Sequence, residues 1–289
     1  MKYFTANING VLIPGIASGE QAALFSDLDI RAVSLLEYIQ SGQKIQDLPA
    51  NRLTRTLSDL QLTAPIPRPP HDLLCVGKNY MEHIRELQDG LGITPDKPVP
   101  HYFGKRATQV TGPNEPIRGH FSLDAGLDYE VELAVVIGKR GNHLSRDQVW
   151  DHIFGLTVLN ELSSRTLQNR HVQWYRGKSL DGYAVMGPWI VSADDFEKPL
   201  RLDLRTEING ELRQSANTEQ MIFSVEELVS ELSRGITLEP GDIIATGTPS
   251  GVGFGFSPPR FLKEGDTVRM EIEGIGVLEN RVTDIADKS

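Results

Sequence analysis

The sequence predicts an α+β fold that is mainly β, and three observations support this. Asn9-Gly10 and Asn209-Gly210 each stand between two β-prone runs, which is a strong signal for a hairpin turn. The run 127–138 contains four β-branched residues and few turn formers, so it indicates a buried strand. Gly265-Asp266 introduces a last pair of strands. With 289 residues, of which 39% are hydrophobic, the chain is long enough for a substantial core.

The first 65 residues indicate a small N-terminal α+β unit. It is expected to hold a hairpin followed by two helical segments, over Lys2–Asn7, Val11–Ile16, Leu28–Ile39 and Pro49–Leu57. The proline-rich stretch 64–70 is a stiff connector. We therefore expect two units, residues 1–65 and a larger unit over residues 70–285. A lid, a dimer contact or a spacer would each suit the first unit.

Composition excludes several classes of function. The net charge of −10 argues against non-specific binding to nucleic acid or to an acidic membrane. An anionic substrate would need a local positive site or a metal. The single cysteine, Cys75, rules out an intramolecular disulfide and suits a reducing compartment. No secretory signal or membrane-spanning run is evident, so we expect a cytoplasmic protein, or an organellar one whose targeting signal is not evident.

The predicted strand at 127–138 opens with acidic residues. In a strand, side chains at i and i+2 point to the same face, so Glu130 and Glu132 are expected side by side. Burying two such carboxylates is unfavourable unless they are paired or bind a metal, and Mg²⁺ or Ca²⁺ prefers oxygen ligands of this kind. The alternative is a solvated strand end with both glutamates in water.

A second candidate group follows the predicted strand Leu73–Val76. His83 and Glu86 are three residues apart in a predicted helix, so they share a face and can touch. A carboxylate that orients an imidazole makes it a general base for water. A chance pair on a surface helix is the alternative.

Further candidates lie after the predicted strand Gly155–Asn160. Glu161 could supply a third carboxylate, with Arg165 and Gln168 one and two helical turns further on. A first-turn glutamate favoured by the helix dipole is the alternative reading. Lys178, between a glycine and a serine, could stabilise negative charge on a substrate or could be a solvated loop residue.

The run Thr246-Gly247-Thr248-Pro249-Ser250-Gly251 follows a short predicted strand, Ile243–Ala245. Glycine-rich loops at strand ends present backbone N–H groups that bind anions, here a carboxylate or an enolate. The spacing is not that of a nucleotide phosphate loop, so ATP chemistry is not expected.

Taken in order, these pieces resemble the fumarylacetoacetate hydrolase family over about residues 70–285. The matching motifs are Gly77-Lys-Asn-Tyr-Met-Glu-His83-Ile-Arg-Glu86, Asp128-Tyr-Glu130-Val-Glu132-Leu, Gln173-Trp, Gly177-Lys178-Ser179 and Pro240-Gly-Asp-Ile-Ile-Ala-Thr246-Gly-Thr248-Pro. The resemblance implies a mixed β-roll or β-sandwich catalytic domain that binds Mg²⁺ or Mn²⁺, with Ca²⁺ as a further option, and a homodimer. Residues 1–65 lie outside it.

The resemblance also implies roles for individual residues. It assigns the metal to Glu130, Glu132 and Glu161, the base to His83 with Glu86, catalysis also to Lys178, and substrate binding to Lys105, Arg165, Gln168, Gly247 and Thr248. One position departs from the family pattern: the third ligand usually follows asparagine as aspartate, and here the pair is Asn160-Glu161. We expect Glu161 to bind the metal through a longer and less rigid arm.

The expected function is a metal-dependent hydrolase that cleaves a carbon–carbon bond in an acylpyruvate-like β-diketo acid. The alternatives are a decarboxylase of oxaloacetate or another β-keto acid and an isomerase of an unsaturated diacid. A protein that has lost activity is a further reading, suggested only by Glu161. In the enzymatic readings the partner is a small anionic keto acid.

Overall fold

The computed structural model describes residues 1–43, 45, 48, 50–88 and 99–284. Pro49, where one of the predicted helical segments begins, and residue 285, the end of the larger predicted unit, lie outside the described residues.

Strands are the commonest regular secondary structure among the described residues. In chain order the strands are β1 Lys2–Ile8, β2 Val11–Ser18, β3 Gln21–Leu24, β4 Arg55–Thr56, β5 Leu62–Thr63, β6 Leu73–Gly77, β7 His101–Lys105, β8 Ile117–Arg118, β9 Leu127–Asp128, β10 Val131–Ile137, β11 Ile153–Glu161, β12 Ser163–Ser164, β13 Ala184–Ser192, β14 Asp203–Ile208, β15 Glu211–Asn217, β16 Ile243–Ala245, β17 Thr267–Ile272 and β18 Gly276–Thr283.

The α-helices are short. They are α1 Leu35–Ser41, α2 Met81–Gln88, α3 Arg165–Arg170, α4 Tyr175–Lys178 and α5 Val225–Leu232, and several 3₁₀ turns join the strands. The predominance of strands over helices confirms the predicted mainly-β α+β class.

The strands form two large sheets. The first is eleven-stranded, with the order β4-β3-β2-β1-β13-β11-β10-β16-β6-β7 and β5 paired to β1; the second has the order β15-β14-β17-β18-β8. β10 lies inside the larger sheet, antiparallel to both β11 and β16. The N-terminal strand β1 joins this sheet through β13, where Lys2 lies opposite Val191. The division into units 1–65 and 70–285 stays a prediction.

Apart from Glu132, strand β10 is apolar along its length, and both of its faces are covered. Val131, Leu133 and Val135 point into one hydrophobic cluster, whereas Ala134 and Val136 point into another. A strand buried on both faces needs a continuous apolar run instead of strict alternation. The same burial means that an acid at the start of β10 must find partners inside the protein.

Both predicted hairpins are confirmed. β1 and β2 pair around Asn9-Gly10, and β14 and β15 pair around Asn209-Gly210. In each turn both central residues have positive φ, for example 53° at Asn209 and 79° at Gly210. Asparagine and glycine tolerate that conformation, which matches the twist of the flanking strands.

The helical predictions in the first 65 residues were partly wrong. α1 begins only at Leu35, because Ser34 caps it and accepts a hydrogen bond from the Glu37 N–H. The second segment contains 3₁₀ turns at Ala50–Arg52 and Leu57–Asp59 around the strand β4. Local periodicity did not show that Arg55–Thr56 would pair with β3.

No helix within the described part of the chain is long and apolar enough to cross a bilayer.

We predict that Leu156→Ala in β11 lowers the free energy of unfolding by about 2–5 kcal/mol, because Leu156 is fully buried in the main cluster. Leu212→Ala is the matched control: Leu212 is 56% exposed, so its removal should change stability by no more than about 0.5 kcal/mol. Urea titrations followed by fluorescence would measure both, and equal midpoints would contradict the assigned core.

Candidate active site and metal centre

Three glutamates from two neighbouring strands converge inside the protein. Glu130 directly precedes β10, Glu132 lies in it and Glu161 ends β11. The antiparallel register sets Val131 opposite Asn160, and the Glu161 N–H donates to the Glu130 carbonyl at 2.9 Å. One ligand oxygen from each carboxylate lies within 4.8 Å of the others, and all three residues are buried.

The predicted strand over 127–138 is interrupted at Tyr129 and Glu130, which lie between β9 and β10. There the Glu130 N–H donates to the side-chain oxygen of Asn160 at 3.1 Å. The Ser163 hydroxyl donates to Glu130 Oε1 at 2.8 Å. The side chains of Asn160 and Ser163 therefore fix Glu130 at the interruption between β9 and β10.

Three buried cations surround the carboxylates. Lys178 contacts Glu130 Oε2 at 2.9 Å and also pairs with Glu161. Lys105 donates to Glu161 Oε1 at 2.7 Å, and Arg165 Nη2 lies 2.7 Å from Glu130 Oε1. Burial alone would raise the pKa of Glu130, but the charges of Lys178 and Arg165 hold it below its usual range.

Glu132 differs from its two neighbours because it forms no ion pair within the described residues. Its Oε2 accepts a hydrogen bond from the Gly247 N–H at 2.8 Å. Burial, followed by the charges of Glu161 and Glu130, raises the pKa of Glu132 well above its usual value. A divalent cation among the three carboxylates would relieve this repulsion, and an all-oxygen donor set suits Mg²⁺ or Mn²⁺. The residues present therefore fit such a metal.

Helix α2 carries the histidine and glutamate that were expected to touch. His83 Nδ1 lies 3.1 Å from Glu86 Oε2, and His83 is 5% exposed. The other Glu86 oxygen accepts the Gly251 N–H at 2.9 Å. The carboxylate favours the tautomer with the proton on Nδ1, which leaves Nε2 as a proton acceptor.

A cavity of about 40 Å³ connects these two groups. His83 lines it together with Glu130 and Glu132. Of the other predicted residues, Arg165, Gln168, Lys178 and Thr248 also line it. A larger cavity of about 610 Å³, bordered by Arg213 and Arg260, contains none of the predicted site residues.

Some predicted substrate-binding residues contact protein groups in the structure. Lys105 is fully buried, with its ammonium on Glu161 and on the Leu162 carbonyl at 2.8 Å. The Gly247 N–H is bonded to Glu132. Gln168 Oε1 accepts from Arg165 Nη1 at 3.0 Å. The roles assigned to these residues stay predictions.

The sequence reasoning missed Asp128. This fully buried carboxylate accepts Arg165 Nε at 2.8 Å and the N–H groups of Gly253 and Phe254. The alternation of acids at 128, 130 and 132 was a signal that could have identified it.

Trp174 was also missed as a wall of the cavity. A Cβ added to Gly77 would lie 2.5 Å from the indole Cζ3, so the ring packs directly on the glycine backbone. Its centroid lies 5.3 Å from that of Phe103 in an edge-on contact. Together these rings limit the room available to a substrate on that side.

Comparison with known proteins identifies the class. Residues 72–283 match the family model described as "Fumarylacetoacetate (FAA) hydrolase C-terminal". Oxaloacetate tautomerase YisK of Bacillus subtilis is 48% identical over 227 residues, which is 78% of this chain and 74% of that protein. The chain belongs to the fumarylacetoacetate hydrolase family.

Solved structures agree with this assignment. A fumarylacetoacetate hydrolase (EaFAH) from the psychrophile Exiguobacterium antarcticum has a TM-score of 0.89 at 40% identity, covering 99% of this chain and 100% of that chain. Maleylpyruvate hydrolase from Sphingobium sp. SYK-6, in complex with manganese(II) ion and pyruvate, has a TM-score of 0.78 at 26% identity, covering 98% and 99%. The β-rich family fold expected from the sequence is thereby confirmed.

We predict that Glu132→Gln and Glu161→Ala each weaken Mn²⁺ binding by about tenfold or more, because each removes a charged ligand from the cluster. Glu239→Gln, at a glutamate outside the cluster, is the control and should bind as the parent does. Calorimetric titration measures all three. Parental affinity in the Glu161 variant would mean that Glu161 only pairs with the two lysines.

Proposed function

We propose that this protein is a divalent-metal-dependent enzyme that interconverts the keto and enol forms of oxaloacetate. The observation that carries the proposal is the contact between His83 and Glu86, because the buried His83 lines the same small cavity as Glu130 and Glu132. A base placed beside a cation site is what enolisation next to a carbonyl requires.

The proposed reaction moves one proton. His83 Nε2 takes a proton from C3 of the keto acid, and the electrons of the broken C3–H bond form the C2–C3 double bond. The protonated His83 then gives the same proton to the 2-oxo oxygen, which restores the neutral imidazole. Glu86 holds the imidazole in the tautomer that accepts the proton and stabilises its charged form. The cation, when bound, would supply Lewis acidity toward the 2-oxo acid.

The buried cations suit a dicarboxylate. Lys178 and Arg165 line the cavity and carry positive charge against Glu130. Their ammonium and guanidinium groups can hold the negative charge of the substrate and of its enol form in a dry environment. The net charge of −10 on the whole chain does not oppose this, because the positive charge is local.

The choice of oxaloacetate as the substrate rests on a comparison. Trp174 and Phe103 line one side of the cavity and limit how far a substrate can extend there. The similarity to a protein named oxaloacetate tautomerase, at 48% identity, points to the same four-carbon acid.

We predict that His83→Gln lowers kcat for oxaloacetate tautomerisation about 100-fold or more, because a positioned general base contributes that much. Mn²⁺ affinity should remain, since His83 is not in the carboxylate cluster. His143→Asn, at an exposed histidine, is the control. The loss of enol absorbance would be followed with Mn²⁺ and after EDTA; activity that persists in the variant and in EDTA would reject the mechanism.

Acylpyruvate hydrolysis is the second candidate, and the same base supports it. His83 would take a proton from water, the hydroxide would add to the distal carbonyl, and the carbon–carbon bond would break to give a carboxylate and the enol of pyruvate. The structural neighbour named maleylpyruvate hydrolase was solved with manganese(II) and pyruvate. Decarboxylation of oxaloacetate needs no water attack and so depends less on the base.

We predict that His83→Ala separates these reactions in one protein. Tautomerisation and acylpyruvate hydrolysis should both fall with the base, whereas any decarboxylation of oxaloacetate should change by no more than about threefold. Enol absorbance, pyruvate release and CO₂ release would be measured side by side. A parallel loss of all three would show that His83 acts on a step they share.

Mg²⁺, Mn²⁺ or Ca²⁺ as the resident ion, a cytoplasmic location and a homodimer remain predictions. The fit of Glu130, Glu132 and Glu161 to a hard cation supports the first of these.

A further inference from the structure

The loop between residues 251 and 255 lies between the histidine pair and the carboxylate cluster. It contains three glycines and two further residues, Val252 and Phe254. Its backbone contacts two acidic side chains. Glu86 lies against Gly251 and Gly255, and Asp128 accepts hydrogen bonds from Gly253 and Phe254. The sequence analysis assigned a role only to its first residue, Gly251, as the end of a candidate anion-binding loop.

On one side the loop holds Glu86. The Gly251 N–H donates to Glu86 Oε1 at 2.9 Å, which leaves Oε2 for His83 Nδ1. Gly255 lies directly against the same carboxylate: a Cβ added there would overlap Glu86 Oε1, Cδ and Cγ. The Glu86 side chain therefore occupies the space that a side chain at 255 would need.

On the other side the loop is held by Asp128. The Gly253 N–H donates to Asp128 Oδ1 at 2.6 Å, and the Phe254 N–H donates to Oδ2 at 3.0 Å. The Tyr129 hydroxyl adds a third contact by donating to the Gly251 carbonyl at 3.0 Å. Two N–H donors on one buried carboxylate fix the loop more firmly than ordinary turn contacts do.

Asp128 also reaches the carboxylate cluster. Its Oδ2 accepts Arg165 Nε at 2.8 Å, and Arg165 Nη2 lies 2.7 Å from Glu130 Oε1. A continuous chain of polar contacts thus runs from Glu130 through Arg165, Asp128 and the loop to Glu86. Such a chain can keep two groups on different elements in register, because its links are buried or partly buried hydrogen bonds and one buried ion pair.

We propose that the loop Gly251–Gly255, anchored by Asp128, sets the position of the His83–Glu86 pair relative to the carboxylate cluster. Gly255 and Asp128 are then positioning residues, which act through Glu86 and touch neither substrate nor metal. The inference rests on the proposed role of His83 as the base. Glycine is required at 255 because the Glu86 carboxylate must lie against the backbone there.

The decisive variant is Gly255→Ala. The new methyl group should push the Glu86 carboxylate away from His83 and lower kcat about tenfold or more, with KM and Mn²⁺ affinity nearly unchanged. In a Glu86→Ala background the space is vacant, so the same substitution should change kcat by less than about twofold. Gly104→Ala is the control, since a Cβ there meets no atom within 4 Å.

The imidazole signals of His83 in NMR give a readout that does not depend on the substrate. The chemical shifts of these signals should change in Gly255→Ala and should equal those of the parent protein in Gly104→Ala. Unshifted signals, or an equal loss of kcat in both backgrounds, would overturn the inference. If the signals shift while the parent protein turns over no oxo acid, the positioning role stands and the proposed reaction fails.

Discussion

The mutual repulsion of Glu130, Glu132 and Glu161 is the constraint on which the site depends. Their ligand oxygens lie within 4.8 Å of one another in a buried region, where water cannot screen the charges. Three buried cations, Lys105, Lys178 and Arg165, offset part of the repulsion. Each of them forms its ion pairs with other carboxylates than that of Glu132, among them Glu130 and Glu161. Among the described residues, Glu132 forms no ion pair and accepts a hydrogen bond from one backbone N–H, that of Gly247. Its charge is therefore the least compensated of the three, and this is the electrostatic reason that a cation fits here.

The fold makes this arrangement possible by burying β10 on both faces. Side chains from opposite faces of the strand enter two separate hydrophobic clusters, and β11 and β16 pair with its edges. Ladder hydrogen bonds on both sides hold the carboxylates of Glu132 and Glu161 at fixed positions. A metal site on such strands is more rigid than one on loops. The loop 251–255 reaches the neighbourhood of the site through the hydrogen bond from the Gly253 N–H to Asp128.

Proteins similar to this chain are named for different reactions, among them a tautomerase and a hydrolase. Tautomerisation, hydrolysis and decarboxylation of a 2-oxo acid all develop negative charge next to the same carbonyl, so cationic groups beside a base serve each of them. The distinctions arise from what the base attacks and from how much substrate fits. In this chain His83 is the proposed base, and Trp174 and Phe103 line one side of the cavity.

Local patterns in the sequence determined the hairpins at Asn9-Gly10 and Asn209-Gly210, the main buried strands and the His83–Glu86 contact, because each depends on residues close together in the chain. They also located the carboxylates through alternation in a strand and through family motifs. Only the tertiary structure decided that Lys105 and Gly247 contact Glu161 and Glu132, and that Asp128 joins Arg165 to a distant loop. These contacts join segments far apart in the chain, and their geometry follows from sheet register and packing, which local periodicity does not specify.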